Sequence, residues 1–245
     1  MKALQSLVLG LGLIATPVLS AERSPSAEPC KLCDGEAAAW FEAPVARYGH
    51  NVLGDTPEWS VLVFDHENGL SRFELAENRV FEDIAPRLAD LSGDGVAEAI
   101  VVESDNRLGA QLAVYGPEGK IAETPFIGRA FRWLAPAGIA DFNGDGATDV
   151  AYVETPHLGK TLRIWTMRGD RLEEMGRVVG VTNHRIGEPF ISSAVRECGN
   201  TPQLYLASAD WTAVVAVRFV NGALLAEEVS RWKGPDALGE LAATC

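Results

Sequence analysis

Two short stretches gather the side chains best suited to hold a hard cation: RLADLSGDGVAEAIVVE at residues 87–103 and GIADFNGDGATDVAYVE at residues 138–154. In the second, counting from Asp141, oxygen-bearing side chains fall at positions 1, 3, 5 and 9: Asp141, Asn143, Asp145 and Asp149. Gly146 at position 6 permits a sharp backbone turn, and Ala147 at position 7 can present its carbonyl. The first stretch sets Asp90, Ser92, Asp94, Gly95, Val96 and Glu98 in the same order. Calcium takes roughly six to eight oxygens in a flexible ring, which alternating side chains of a coiled loop deliver. Carboxylates this close repel one another unless a cation lies between them. The competing reading is an Asx-rich turn that holds no ion. Ser92 is a poorer ligand than Asn143, so the first loop is the weaker. No catalytic base stands beside either loop in the sequence, so both cations are expected to be structural.

The elements that carry these loops read as strands. Helical periodicity is nearly absent, whereas short apolar or β-branched runs recur (WSVLVF, EAIVVE, AQLAVYG, DVAYVE, LRIWTM, QLYLAS), separated by turn sequences such as HENG, GPEG and VNG. That pattern predicts an antiparallel all-β domain. Its spacing repeats: Asp90 and Asp141 lie 51 residues apart, as do Glu103 and Glu154. SAVRECGNTPQLYLAS aligns with the second loop by its apolar positions, and GHNVLGDTPEWSVLVF fits more loosely, with Gly54-Asp55 at the place of Gly93-Asp94. Four units therefore start near residues 46, 86, 137 and 191. Units of this length, each with four strands, predict a small β-propeller of four blades over residues 46–245. A β-sandwich is the alternative, and it does not call for the repeat.

The pattern D-x-[DN]-x-D-G-x-x-[DE] running into an apolar strand departs from an EF-hand. Position 12 is Val101 or Tyr152 rather than Glu, and no helix flanks either loop. It resembles instead the FG-GAP or VCBS repeat of integrin α-subunit propellers and many exported bacterial proteins. Two clear and two degenerate repeats carry the resemblance. It implies a propeller whose loops between first and second strands bind calcium, and it makes recognition of a protein or a glycan the expected function. Ser92 departs from the motif.

In such a ring the second-to-third hairpins and the blade-to-blade connections share the face opposite the calcium loops. That face is expected to collect Arg132, Trp133, His157, His184 and Arg185, a cationic and aromatic group on an acidic protein. Arg forks and an aromatic plane suit a carboxylated glycan, a peptide carboxylate or a partner loop. The plainer reading is ordinary hairpin polarity and inter-blade packing. His157 and His184 could form a metal pair, but no third ligand has helpful spacing. No nucleophile elbow, HExxH zinc motif or phosphate-binding loop is present. An enzyme on this face, a hydrolase or lyase, stays the alternative to a binding module.

Residues 1–20 read as a secretory signal, with Lys2 ahead of an apolar stretch too short to span a bilayer, and residues 21–45 as a poorly ordered leader. No later segment is long and apolar enough to cross a membrane. The expected location is the periplasm or the secreted fluid. Loss of Lys2 takes the net charge from −13 to −14, with 34 acidic residues. Nucleic acid is therefore disfavoured as a partner, since phosphate binding needs a basic surface. Four cysteines in an exported chain favour disulfides. Three pairings are open; Cys30 with Cys33 and Cys198 with Cys245 is favoured, because the second bond would tie down the C-terminus. CKLCDG lacks the His of a haem attachment motif, the second pair of a zinc site and the strand-helix context of a redox dithiol.

Overall fold

A computed structural model describes residues 22–30, 33–199 and 201–244, and its regular structure is antiparallel strand apart from one short helix. The signal segment at 1–20 and Cys245 lie outside the described residues. Cys30 and Cys33 form a disulfide with a Cα–Cα separation of 5.6 Å. Cys198 is not a free thiol.

The chain forms four successive meanders. The first holds β1 (Ala38–Val45), β2 (Glu58–His66) and β3 (Gly69–Glu74). In the second, β4 (Arg79–Phe81) and β5 (Arg87–Ala89) lie on one edge of β6 (Glu98–Asp105), followed by β7 (Gly109–Gly116) and β8 (Gly119–Glu123). The third runs β9 (Leu134–Ala140), β10 (Asp149–Glu154), β11 (Thr161–Arg168) and β12 (Arg171–Val179). The fourth repeats the split edge: β13 (Val181–Thr182) and β14 (Ala194–Arg196) flank β15 (Gln203–Ser208), then come β16 (Ala213–Val220) and β17 (Ala223–Arg231). A single pairing, Trp59 with Phe81, joins the first two meanders into one sheet.

The first meander begins earlier than its sequence suggests. Arg23 bridges Glu42, Ser24 N–H donates to the Phe41 carbonyl (2.9 Å) and Ala27 N–H to that of Ala39 (2.7 Å). Residues 23–27 thus lie along the free edge of β1 and fill the first-strand place. Both they and β1 fall in the segment expected to be a poorly ordered leader. The reason is pairing across the chain: residues 23–27 join β1 through main-chain bonds, which composition does not reveal, while Phe41 is fully buried. The loop at 46–57 then corresponds to a second-to-third hairpin, and Gly54-Asp55 does not share the place of Gly93-Asp94. Tyr48 Oη accepts the Phe131 N–H (3.1 Å), and the chain around Phe131 is bonded to the β6–β7 hairpin (Gly128 N–H to the Leu108 carbonyl, 2.7 Å). That hairpin is at the end of β6 opposite the first acidic loop.

The sheets stack in chain order. Phe41, Leu62 and Phe64 pack on Ala99, Val101 and Tyr115; Ile100, Val102 and Leu112 pack on Trp133, Val150 and Tyr152; Val153, Leu162 and Ile164 pack on Leu204, Leu206 and Val217. Inner strands such as β6 and β7 are buried on both faces, which is why they read as continuous apolar runs rather than alternating ones. The outer face of the fourth meander is covered by α1 (Asp236–Ala242), whose Leu238 is packed with Tyr205, Val214 and Ala216. Among the described residues, no apolar cluster joins the strands of the fourth meander to those of the first, and no helix is long and apolar enough to cross a membrane.

Candidate functional site

The two acidic loops join first to second strands, between β5 and β6 and between β9 and β10, and they fold alike. Asp90 Oδ1 accepts the N–H groups of Gly93 (2.7 Å) and Asp94 (3.2 Å), and Oδ2 that of Gly95 (2.9 Å). Asp141 makes the same three bonds with Gly144 (2.7 Å), Asp145 (3.1 Å) and Gly146 (2.8 Å). Asp94 accepts from Val96 N–H as Asp145 does from Ala147 N–H. Glu98 reaches back to Leu91 N–H (2.7 Å), as Asp149 does to Phe142 N–H (3.0 Å). The loops need backbone at φ +79° and +88° for Gly93 and Gly95, and +77° and +88° for Gly144 and Gly146, where a Cβ is disfavoured. Val96 and Ala147 occupy the places whose carbonyls were expected to join the ring, and Ser92 matches Asn143.

The loops differ in what their acids do. Carboxylate oxygens of Asp90, Asp94 and Glu98 converge within 4.8 Å of one another. In the second loop Asp145 Oδ2 is held by Arg168 (2.8 Å) and by the Asn143 amide (3.1 Å). The Ala147 N–H, followed by Arg168, keeps Asp145 below the usual carboxylate range. Asp149 is fully buried. Burial pushes its pKa up to about 6, only partly offset by the Thr166 hydroxyl across the strand pair and by Phe142 N–H. Thr166 lies near, yet Asp149 Oδ1 and Thr166 Oγ1 both lack a partner of hydrogen-bond geometry. Burial likewise raises the pKa of Glu98. So the loop with the poorer sequence match has the more convergent acids, and among the described residues no arginine is bonded to them as Arg168 is to Asp145. It also has a neighbour that the sequence did not suggest: Asp34 N–H donates to the Gly95 carbonyl (2.6 Å), and its carboxylate lies against Gly95.

At the hairpin end a second group forms. Trp133, His157 and His184, singled out by sequence, come together: the Trp133 and His184 rings are 4.9 Å apart, Trp133 stacks with His157 at 6.4 Å, and His157 Nε2 lies 2.9 Å from His184 Nδ1. Burial lowers the pKa of His157 to about 4, with His184 adding to the effect, and burial also lowers that of His184. Trp133 is not an exposed plane: it is 2% exposed, and its Nε1–H donates to the Glu82 carbonyl (2.9 Å). Arg185 turns away onto the Trp211 ring (4.1 Å) and toward Glu188 (3.7 Å). Arg132 lines a small cleft with His50, Phe131, Trp133 and His157. His66, at the end of β2, bonds within its own hairpin to Ser71 (3.0 Å).

His50 and Glu82 were missed. Glu82 sits in the break between β4 and β5, is 3% exposed, and binds His50 Nδ1 through Oε1 (2.7 Å) and the Ser104 hydroxyl through Oε2 (2.5 Å). Burial raises its pKa despite His50. Glu58 accepts both the Gly49 and His50 N–H groups (2.9 Å each), which fixes the loop that delivers the imidazole. Phe131 and Thr155, both at the cleft, hold φ of +54° and +46°. Such backbone is uncommon for non-glycine residues and costs of order 1 kcal/mol or more. Nothing in YGHN or FEDIAP marks this pair, because His50 and Glu82 meet only through the fold.

No protein-family model matches the sequence, and no curated protein matches it. Among solved structures the chain is similar to an exotype rhamnogalacturonan lyase, YesX. The two are 13% identical with a TM-score of 0.47, over 85% of this chain and 49% of that one. The chain spans about half the length of that structure. A likeness at this level carries neither fold nor activity across.

Proposed function

We propose that the protein is an exported β-propeller of four blades, stabilised by calcium in its two acidic loops, that serves as a binding module for a protein or a glycan. The observation that carries the calcium reading is the hydrogen-bond frame that the two loops share at Asp90 and Asp141, Asp94 and Asp145, and Glu98 and Asp149, with three acids converging in one loop and a half-partnered, fully buried Asp149 in the other. Four successive meanders with a first strand next to each acidic loop support the blades. Main-chain contact between the first and fourth meanders, Gly187 N–H to the Val52 carbonyl (3.0 Å), supports a ring. The binding surface is the hairpin end, where an exposed Phe131 and a half-buried Arg132 border the cleft.

A periplasmic or secreted hydrolase or lyase is the second reading, favoured by the buried Glu82 that orients His50, an arrangement suited to proton transfer. Arrays of glycans and peptides probed with the calcium-loaded protein separate the two. Saturable binding that weakens in Arg132→Ala, with no change in the bound compound, supports the module. Turnover that disappears in His184→Gln at unchanged melting temperature supports the enzyme.

A further inference from the structure

The histidines at the hairpin end are wired in a way that the calcium reading does not use. His184 Nε2 faces a carbonyl oxygen, that of Glu188 (2.9 Å), so it must carry a proton. In a neutral ring His184 Nδ1 then has the lone pair, and the 2.9 Å contact makes His157 Nε2 the donor. The remaining nitrogen of His157, Nδ1, is left with a lone pair. On the other side, Glu82 accepts from His50 Nδ1 (2.7 Å), which leaves the lone pair on His50 Nε2. His50 and His157 line the same cleft, whose volume is about 20 Å³, room for one water-sized occupant.

We propose that this cleft is a site for a divalent first-row transition ion, held by His50 Nε2 and His157 Nδ1. Imidazole is the common ligand of such ions. Metal-binding histidines as a rule donate their other nitrogen to a carboxylate, a carbonyl or another acceptor, which fixes the tautomer and the ring plane. Here Glu82 is the acceptor for His50. For His157 the acceptor is His184 Nδ1, and His184 is itself anchored on the Glu188 carbonyl. With both nitrogens engaged, His184 is a positioning residue, so the pair suggested by sequence, His157 with His184, is replaced by His157 with His50. The protein supplies two nitrogens, and the other positions go to solvent or to an oxygen or nitrogen of a bound ligand. The site is separate from the acidic loops in both place and ligand type: nitrogen at the hairpin end, oxygen at the other.

Copper(II) is the probe, because it binds nitrogen sites more tightly than its divalent neighbours. The full-length mature chain, free of any histidine tag and saturated with calcium so that the acidic loops are filled, is titrated with copper and followed by calorimetry and electron paramagnetic resonance. The expected result is one copper per chain with imidazole nitrogen couplings in the spectrum. His157→Gln and His50→Gln should each weaken binding by at least about tenfold, while Glu98→Gln leaves it unchanged. His157→Gln keeps the test alive if loss of the Glu82 partner unfolds His50→Gln. Absence of saturable copper binding, or binding that survives the His157 substitution in a folded protein, overturns the proposal without touching the calcium reading.

Discussion

Asp149, fully buried, and His157, half-buried, are titratable residues at opposite ends of the molecule, and they push the pH dependence of stability in opposite directions. Asp149 has a folded-state pKa of about 6 against an ordinary 3.8. Between those values the folded state holds the extra proton, so its contribution to stability is lost as pH rises toward 6. The penalty at neutral pH is about 3 kcal/mol for a shift of this size in the metal-free protein. His157 is the reverse, at about 4 against 6.5. There the unfolded state holds the extra proton, so stability is lost as pH falls from 6.5 toward 4. In chelator, Asp149→Asn should raise the melting temperature at pH 7.5 and steepen the loss of stability on acidification, while His157→Gln should make that loss shallower. Melting curves from pH 4 to 8 check both. In calcium, Asp149→Asn should instead melt lower than the parent, and the reversal of sign is the mark of a ligand residue.

The acidic loops are where the sequence was most legible at the scale of elements, because each is a local structure: the Asp, Gly and following strand needed for the turn lie within ten residues. Both loops do join first to second strands. The all-β class was legible for a similar reason, since strands such as β6 and β15 are short apolar runs bounded by turn residues. What could not be read was whatever depends on main chain meeting main chain. Residues 23–27 are polar and proline-bearing, yet they line β1; the 46–57 loop looks like a degenerate acidic loop, yet it packs at the hairpin end and delivers His50. Asp34, brought to the first acidic loop by the same edge segment, yields a prediction about glycine. At Gly146 a Cβ meets nothing within 4 Å, so Gly146→Ala suffers only from its φ of +88°, at a cost of about 1–2 kcal/mol. At Gly95 the φ is the same but a Cβ would lie 2.8 Å from Asp34 Oδ2. That atom is the end of an exposed side chain that can swing aside, so in denaturant unfolding Gly95→Ala should cost within about 1 kcal/mol of Gly146→Ala, and a much larger cost would mean that Asp34 is held fast against the loop.

Across the whole molecule, three apolar interfaces link the four meanders in order, and α1 finishes the outer face of the last. Leu238 is 1% exposed at the centre of that contact. Leu238→Ala should cost about 2–5 kcal/mol in denaturant unfolding, the range for a buried leucine, and a cost below about 0.5 kcal/mol would mean that the helix is not part of the core. The proposed calcium would act at the same scale. Each loop ties the first strand of its meander to the second, so an ion that binds only the folded state stabilises the entire stack by linkage. The most direct test is metal content and thermal unfolding, with calcium and with chelator, of the protein lacking residues 1–20. Two bound calcium ions per chain and a marked fall in melting temperature on chelation are the predicted result. No bound metal and an unchanged melting temperature would contradict it, and would leave the acidic loops as turns held by their own hydrogen bonds.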